Sequence, residues 1–500
     1  MGKRILFLVI LPALVFALAE VAQAWQGRMG GMGDPYGLVA DESDYLIHPA
    51  KIAKGEGVKF YGDYRFTYTD VMAWDYHLDR FTTAGVLNGL FHYDTSGQEF
   101  KHNALVGAGF PLGPGRMGLF FTYDGIRGDY DGHEDVLGLS HFTEYDLKSD
   151  LDNFALRLLY GLPLGSLKLG GEVQFAYRQE ENKNDMPGYV NYTLGTQIPE
   201  RNLTPFQLPY DSKYWEALLK GSLEGKVGLL DLEFTLRGGF IFAGDNNFTL
   251  TQTTIIIHDG SGDVTGWRIG GDVWARYPLA TDLTLPILVR LDYQEKEREG
   301  VGQRFDGSAN VYPYDTQERS LHFTIGGGVD KEIGKGARIA AGIYYNHLEG
   351  EYDFDLKEVL GVVVGQEWNH SGYPASVENQ VMLRLAGEFE LTPAVTLRMG
   401  LVPFYGWVKE DYTFKYGTSY IDKTALHGDH WGIGFSLGGT IKFKPVTIEP
   451  FVNFNYQQLT LDDDGGERRD STGTITNLWE MDKTRNEWSI GGGFSILYDL

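Results

Sequence analysis

The 500-residue chain has no cysteine, and that absence removes several functions at once. A disulfide-stapled scaffold, a cysteine-ligated zinc or iron–sulfur centre and covalent haem attachment all require thiols. Long apolar runs are also missing beyond residue 24, where no stretch supplies the roughly twenty consecutive apolar residues of a spanning helix. Positive charge is scarce: 43 Lys and Arg face 68 Asp and Glu, a formal charge of −25. So acidic a surface argues against nucleic-acid binding, because phosphate contacts need clustered cations. There is no linker, low-complexity tract or shift in composition, so a single domain is the simplest reading.

The one apolar run that does occur lies at the start. Lys3 and Arg4 precede an almost unbroken apolar stretch from Ile5 to Ala19, and the small residues Ala22 and Ala24 follow. These are the three regions of a secretory signal peptide, with cleavage expected after Ala24. The expected division is a signal peptide over 1–24, an N-terminal segment over 25–57 and one β-domain over 58–500.

What the chain has in abundance is period-2 alternation, from residue 58 to the end. Leu230, Leu232, Phe234 and Leu236 alternate with Asp231, Glu233, Thr235 and Arg237. By itself this suits either a soluble sandwich or a membrane barrel. Turn spacing separates the two. Very short connectors at 111–115, 162–165, 224–228, 278–282, 332–336, 391–394 and 444–445 alternate with long polar stretches near 70–98, 125–150, 179–211, 243–263, 295–317, 347–376, 408–428 and 459–486. One end of every hairpin is trimmed and the other elaborated. That predicts an all-β, transmembrane antiparallel β-barrel with short periplasmic turns and long extracellular loops, of about sixteen strands, with fourteen to eighteen compatible with the pattern. Aromatic residues fall where this scheme puts the membrane boundaries: Tyr68, Tyr123, Tyr177, Trp215, Trp267, Tyr293, Tyr345, Trp407, Trp431 and Trp488 on the outer side, Tyr160, Tyr277, Phe389, Phe443 and Tyr498 on the periplasmic side.

A barrel of this size leaves a lumen. The alternation points charges of both signs into it, among them Arg65, Lys168, Glu172, Glu233, Arg237, Arg268, Asp272, Arg290, Arg384 and Arg398. Cations gathered on one side would create a transverse field, whereas paired charges would only stiffen the wall. Sequence leaves both open. Catalysis has little support, since no histidine lies in a recognisable catalytic arrangement, and neither an enzyme nor a cofactor is expected. His427, Asp429 and His430 carry metal-ligating atoms, and the acidic stretches 129–135 and 462–467 carry oxygen ligands; solvated loop charge is the favoured reading of each, and no metal is expected.

The segment before the barrel differs from the rest. It contains Gly31-Met32-Gly33, then Val39-Ala40-Asp41-Glu42, then His48-Pro49-Ala50. In that order and spacing it resembles the opening of the FadL-like family of outer-membrane transporters for hydrophobic compounds, and of PorV-like relatives, with His48 where the family has Asn. The resemblance implies that Gly31, Gly33, Asp41, His48, Pro49 and Ala50 belong to a plug folded into the lumen. A disordered periplasmic leader is the alternative.

The leading expectation is an outer-membrane channel or transporter for passive passage of small solutes, with hydrophobic compounds implied by the resemblance. The alternative is a non-conducting barrel that serves as a surface or secretion-partner platform. Expected partners are outer-membrane lipid and lipopolysaccharide, the barrel assembly machinery and small solutes, with a homotrimer expected by analogy with porins. Export to the outer membrane of a Gram-negative cell follows from the signal peptide and the barrel.

Overall fold

The computed structural model describes residues 27–33, 37–39, 42–82, 87–137, 141–185, 210–252, 255–304, 311–334, 336–358, 368–372, 375–416, 420–463 and 465–500. The proposed signal peptide and Asp41 lie outside them. The strands are β1 (Lys59–Thr82), β2 (Leu87–Leu112), β3 (Gly115–Leu137), β4 (His141–Leu164), β5 (Leu167–Asp185), β6 (Tyr210–Val227), β7 (Leu230–Gln252), β8 (Ile255–Ala280), β9 (Leu283–Arg304), β10 (Val311–Ile333), β11 (Ala337–Glu358), β12 (Trp368–Gly372), β13 (Ala375–Thr392), β14 (Val395–Tyr416), β15 (Tyr420–Phe443), β16 (Val446–Asp463), β17 (Gly466–Asp470) and β18 (Ile475–Asp499).

Sequential strands pair antiparallel, β1 runs beside β2, and β18 returns to β1 in a continuous register from Lys59↔Asp499 to Thr82↔Asn477. The sheet is therefore closed. Two of the strands are short pieces of longer staves. β12 pairs with β11 and β14, the same two neighbours as β13, and β17 pairs with β15 and β18, the same two as β16. Counting staves gives a sixteen-stranded transmembrane antiparallel barrel, with no edge left unpaired among the described strands.

The alternation sorts side chains by face. Phe234 and Leu236 are exposed on the outside, while Glu233 and Thr235 between them are buried inside. Phe121, Phe240, Ile269, Ile343 and Val452 extend the outward apolar belt. At its outer margin the aromatics meet across strands: Tyr123 with Phe154 at 4.9 Å between ring centroids, Tyr177 with Trp215 at 5.2 Å, Trp267 with Tyr293 at 5.0 Å and Trp431 with Tyr456 at 5.4 Å. Rings with an apolar body and a polar tip suit the headgroup zone. At the other end Gly113, Gly165, Gly228 and Gly334 turn the chain with φ of 58° to 64°, which tight hairpins demand and side-chain-bearing residues resist.

One expectation needs correction. Much of what reads as long loop is strand: β1 and β2 between them occupy all of 70–98 except 83–86, and β9 and β10 all of 295–317 except 305–310. A 24-residue strand such as β1 spans roughly 80 Å of chain, well beyond a hydrocarbon core of about 30 Å. Apolar alternation stops at the membrane boundary because lipid stops there. Backbone pairing needs no apolar face and continues into polar sequence.

Candidate functional site

The N-terminal segment lies inside the periplasmic half of the barrel. It comprises one helical turn, α1 (Gly27–Gly31), and two 3-10 turns at Glu42–Leu46 and Pro49–Lys54. Pro49 opens the second turn after His48, where its missing N–H costs nothing. Close backbone contact explains two of the glycine positions. A Cβ on Gly31 would sit 2.9 Å from the Cα of Gly438 on β15, and one on Gly170 of β5 would sit 2.0 Å from the Ala50 nitrogen. Gly33 has a φ of 74° in the turn after α1.

Two apolar contacts hold the segment. Met29, Met32, Leu38 and Val39 are buried with Trp274, Leu288, Ala340, Tyr344 and Ala386 of the wall, and Tyr45, Leu46 and Ile52 with Tyr61, Leu105, Phe120 and Leu159. Between them runs a polar seam. Lys51 pairs with Asp44 at 2.7 Å and with Glu233 at 2.8 Å, its ammonium 4.4 Å from the Trp274 ring centroid. Glu233 also takes Arg276 at 2.5 Å. The Ala50 N–H donates to Ser222 Oγ at 2.6 Å, and the Leu46 carbonyl accepts from Arg157 at 2.6 Å and Lys220 at 2.9 Å. Nearer the periplasm, Arg28 binds Glu388 at 2.9 Å and Lys54 binds Glu224 at 2.6 Å.

His48 is almost wholly enclosed. Its Nδ1 faces the Thr235 hydroxyl, and its Nε2 lies 3.2 Å from an Asp272 carboxylate oxygen. Burial, reinforced by Lys51, Arg237, Arg290 and Arg276, holds its pKa well below the ordinary 6.5, so the ring is neutral at pH 7. We assign the proton to Nε2, which then donates to Asp272 while Nδ1 accepts from Thr235.

The lumen candidates form paired networks. Arg65 lies 3.7 Å from Asp63, Lys168 is 3.0 Å from Glu224, and Glu172 is shared by Arg157 at 2.7 Å and Lys220 at 3.3 Å. Arg237 holds Asp272 at 2.8 Å and Asp292 at 2.6 Å, and Arg290 reaches Asp292 at 3.0 Å. Arg268 binds Glu216 at 2.6 Å, Arg398 binds Glu388 at 2.7 Å and Glu449 at 3.2 Å, and Arg384 stacks on Tyr344 with 4.7 Å to the centroid. Most of the lumen charge is thus paired between strands. Cations are in excess locally: β4–β9 supply Arg157, Arg178, Lys220, Arg237, Arg268 and Arg290, with Asp292, to a cavity of about 430 Å³ whose other carboxylates are Asp63 on β1 and Asp124 on β3.

Sequence reasoning missed a buried cluster farther out on β5, β6, β9 and β10. Tyr214 donates to Glu180, which pairs with Lys296 at 2.9 Å and Arg298 at 2.9 Å; both cations also pair with Glu318. Glu180, Lys296 and Arg298 fall in stretches read as loop. Strand register would have placed them, but register is not visible in the alternation of one strand. Breaks in register beside Tyr214 and between Ile241 and Gly244, with Ala243 at φ 49°, accompany the packing of Tyr214, Ile241 and Val264 into one buried group. The suspected metal run is dispersed instead of gathered. Residues 427–430 lie on β15, where Asp429 accepts from Tyr405 at 2.6 Å on the outer face and His430 meets Glu378 at 2.5 Å on the inner. Glu467 is held by Arg469. Among the described residues, the grouping of three carboxylates within 4.8 Å is Glu297, Glu299 and Asp315, on the outer extensions of β9 and β10.

No family model and no curated protein matches this chain. Solved structures are similar to it at low identity. A Pseudomonas aeruginosa FadL homologue is 11% identical, covering 95% of this chain and 98% of its own, with a TM-score of 0.41. The P. putida toluene transporter TodX is 11% identical, covering 94% and 98%, with a TM-score of 0.38. The CymD monoaromatic hydrocarbon channel is 9% identical, covering 96% and 98%, with a TM-score of 0.34.

Proposed function

We propose that this protein is an outer-membrane channel for the passive passage of small solutes in a Gram-negative cell, its periplasmic mouth plugged by residues 25–57. The observation that carries the reading is a hollow with a polar, charged wall directly above a segment fastened to that wall by buried ion pairs. A wall of this kind is hydrated and accommodates polar solutes more readily than a greasy path would. The plug must shift for solute to reach the periplasm.

The test is single-channel recording in planar bilayers. The mature protein is expected to give small, intermittent conductance, and a variant lacking residues 25–57 a larger and steadier one. Failure of both to conduct overturns the reading and favours a sealed barrel acting as a platform, a role that the long hairpins above the membrane would suit.

A further inference from the structure

The cavity above the N-terminal segment has a feature beyond polarity: an excess of cations over the carboxylates that hold them. Arg157 and Lys220 share the single carboxylate of Glu172, and both use remaining donors on the Leu46 carbonyl. Arg178 and Arg268 share the single carboxylate of Glu216, at 3.6 Å and 2.6 Å. The Nε of Arg178 is buried with no hydrogen-bond acceptor, while that of Arg268 makes the contact to Glu216. The carboxylates lie behind, Glu172 and Glu216 being almost fully buried, whereas the four cations line the cavity. On the neighbouring β3, Asp124 accepts from Asn103 at 2.7 Å and from Asn153 at 3.1 Å. A solute anion in the cavity therefore meets six cations from β4–β9 against the three carboxylates of Asp63, Asp124 and Asp292.

We propose that this cavity is a binding site for a small organic anion bearing two or more carboxylate groups. About 430 Å³ falls within the range of small-ligand sites and exceeds what one inorganic oxyanion fills. The two cation pairs supply two separate docking points. Guanidiniums meet planar oxyanions through paired N–H donors, and the enclosed setting strengthens each contact. The proposal names the solute class for the channel reading and rests on solute entering the lumen from outside.

Isothermal titration of the detergent-purified mature protein with citrate tests it, with inorganic phosphate and glucose as further probes. Citrate is expected to bind once per barrel, and R268Q and K220Q each to weaken it about tenfold or more, with R178Q as a second route to the same loss. R319Q, at the outer rim, is expected to leave binding unchanged. Retained heat-modifiable mobility on gels shows that each variant is still a folded barrel. Phosphate binding more tightly than citrate, no binding of citrate, or citrate binding unchanged in R178Q, R268Q and K220Q overturns the proposal. Binding is read without conductance, so a barrel that binds citrate but never conducts refutes the channel alone, and one that conducts but binds no citrate refutes the site alone.

Discussion

Lys51→Met tests how the N-terminal segment is fastened. Lys51 and Glu233 are 6% and 1% exposed, and their 2.8 Å contact joins segment to wall. Methionine keeps the length and apolar stem of lysine, so the contact with Trp274 largely survives while the charge is lost. Removing one partner of a buried pair costs about 3–5 kcal/mol, since the other charge is left uncompensated. Glu233 keeps Arg276, so the lower figure applies. About 3 kcal/mol changes the ratio of undocked to docked segment more than a hundredfold. The Lys51–Asp44 pair lies within the segment and moves with it, so it contributes little to this difference. Single-channel recording is expected to show a greatly raised open probability, and limited proteolysis to cleave the segment faster in proportion. Wild-type conductance and wild-type protection together would refute the fastening argument.

Docking is expected to weaken as pH falls. The His48 pKa is depressed in the docked state relative to about 6.5 when the segment is free, so docking is at full strength above 6.5 and is lost progressively below it; amide exchange of residues 42–57 at pH 7.5 and 5.5 reads this, and His48→Asn should flatten the dependence. Gly170→Val places a Cβ 2.0 Å from the Ala50 nitrogen, so the segment should be displaced and conductance raised while the barrel, whose turns are untouched, still assembles. Leu236→Arg, on the exposed outer face, should destabilise the folded barrel by about 2–4 kcal/mol in urea titrations in lipid vesicles if the site lies near the midplane.

The barrel was legible in the sequence because two periodicities coincide. Alternation within strands set the faces, and alternation of short and long connectors set closure and orientation. Stave ends were not legible: Glu180, Lys296 and Arg298 sit on β5 and β9 beyond the apolar stretch, where nothing in composition separates a paired polar strand from a loop. Partners were not legible either. Alternation put Arg237 and Asp272 on the inner face, but only the register Arg237↔Gly270 and its neighbours bring the side chains to 2.8 Å. In the N-terminal segment, Gly31, His48 and Ala50 stood out through motif order, whereas Arg28, Asp44 and Lys51 have no motif and were missed despite carrying the ion pairs.

A segment held in a lumen by buried charge differs physically from one held by apolar packing alone. When an apolar contact opens, water meets hydrocarbon and the whole transfer cost is felt; when an ion pair opens into a hydrated cavity, each charge regains water, and much of the lost attraction is repaid. Here the two kinds of contact are unevenly placed. Met29, Met32, Leu38 and Val39 share their apolar group with wall residues of β8, β9, β11 and β13, whereas the 42–54 half combines the apolar contacts of Tyr45, Leu46 and Ile52 with the meeting of Asp44, His48 and Lys51 with a charged surface on β7 and β8. The half that carries these buried charges is the one under the cationic cavity. An anion bound to Arg157 and Lys220 would compete with the Leu46 carbonyl for both donors. Ligand binding and release of the 42–54 half would then be coupled, so citrate should accelerate proteolysis of residues 42–54 in the wild type and have no such effect in K220Q.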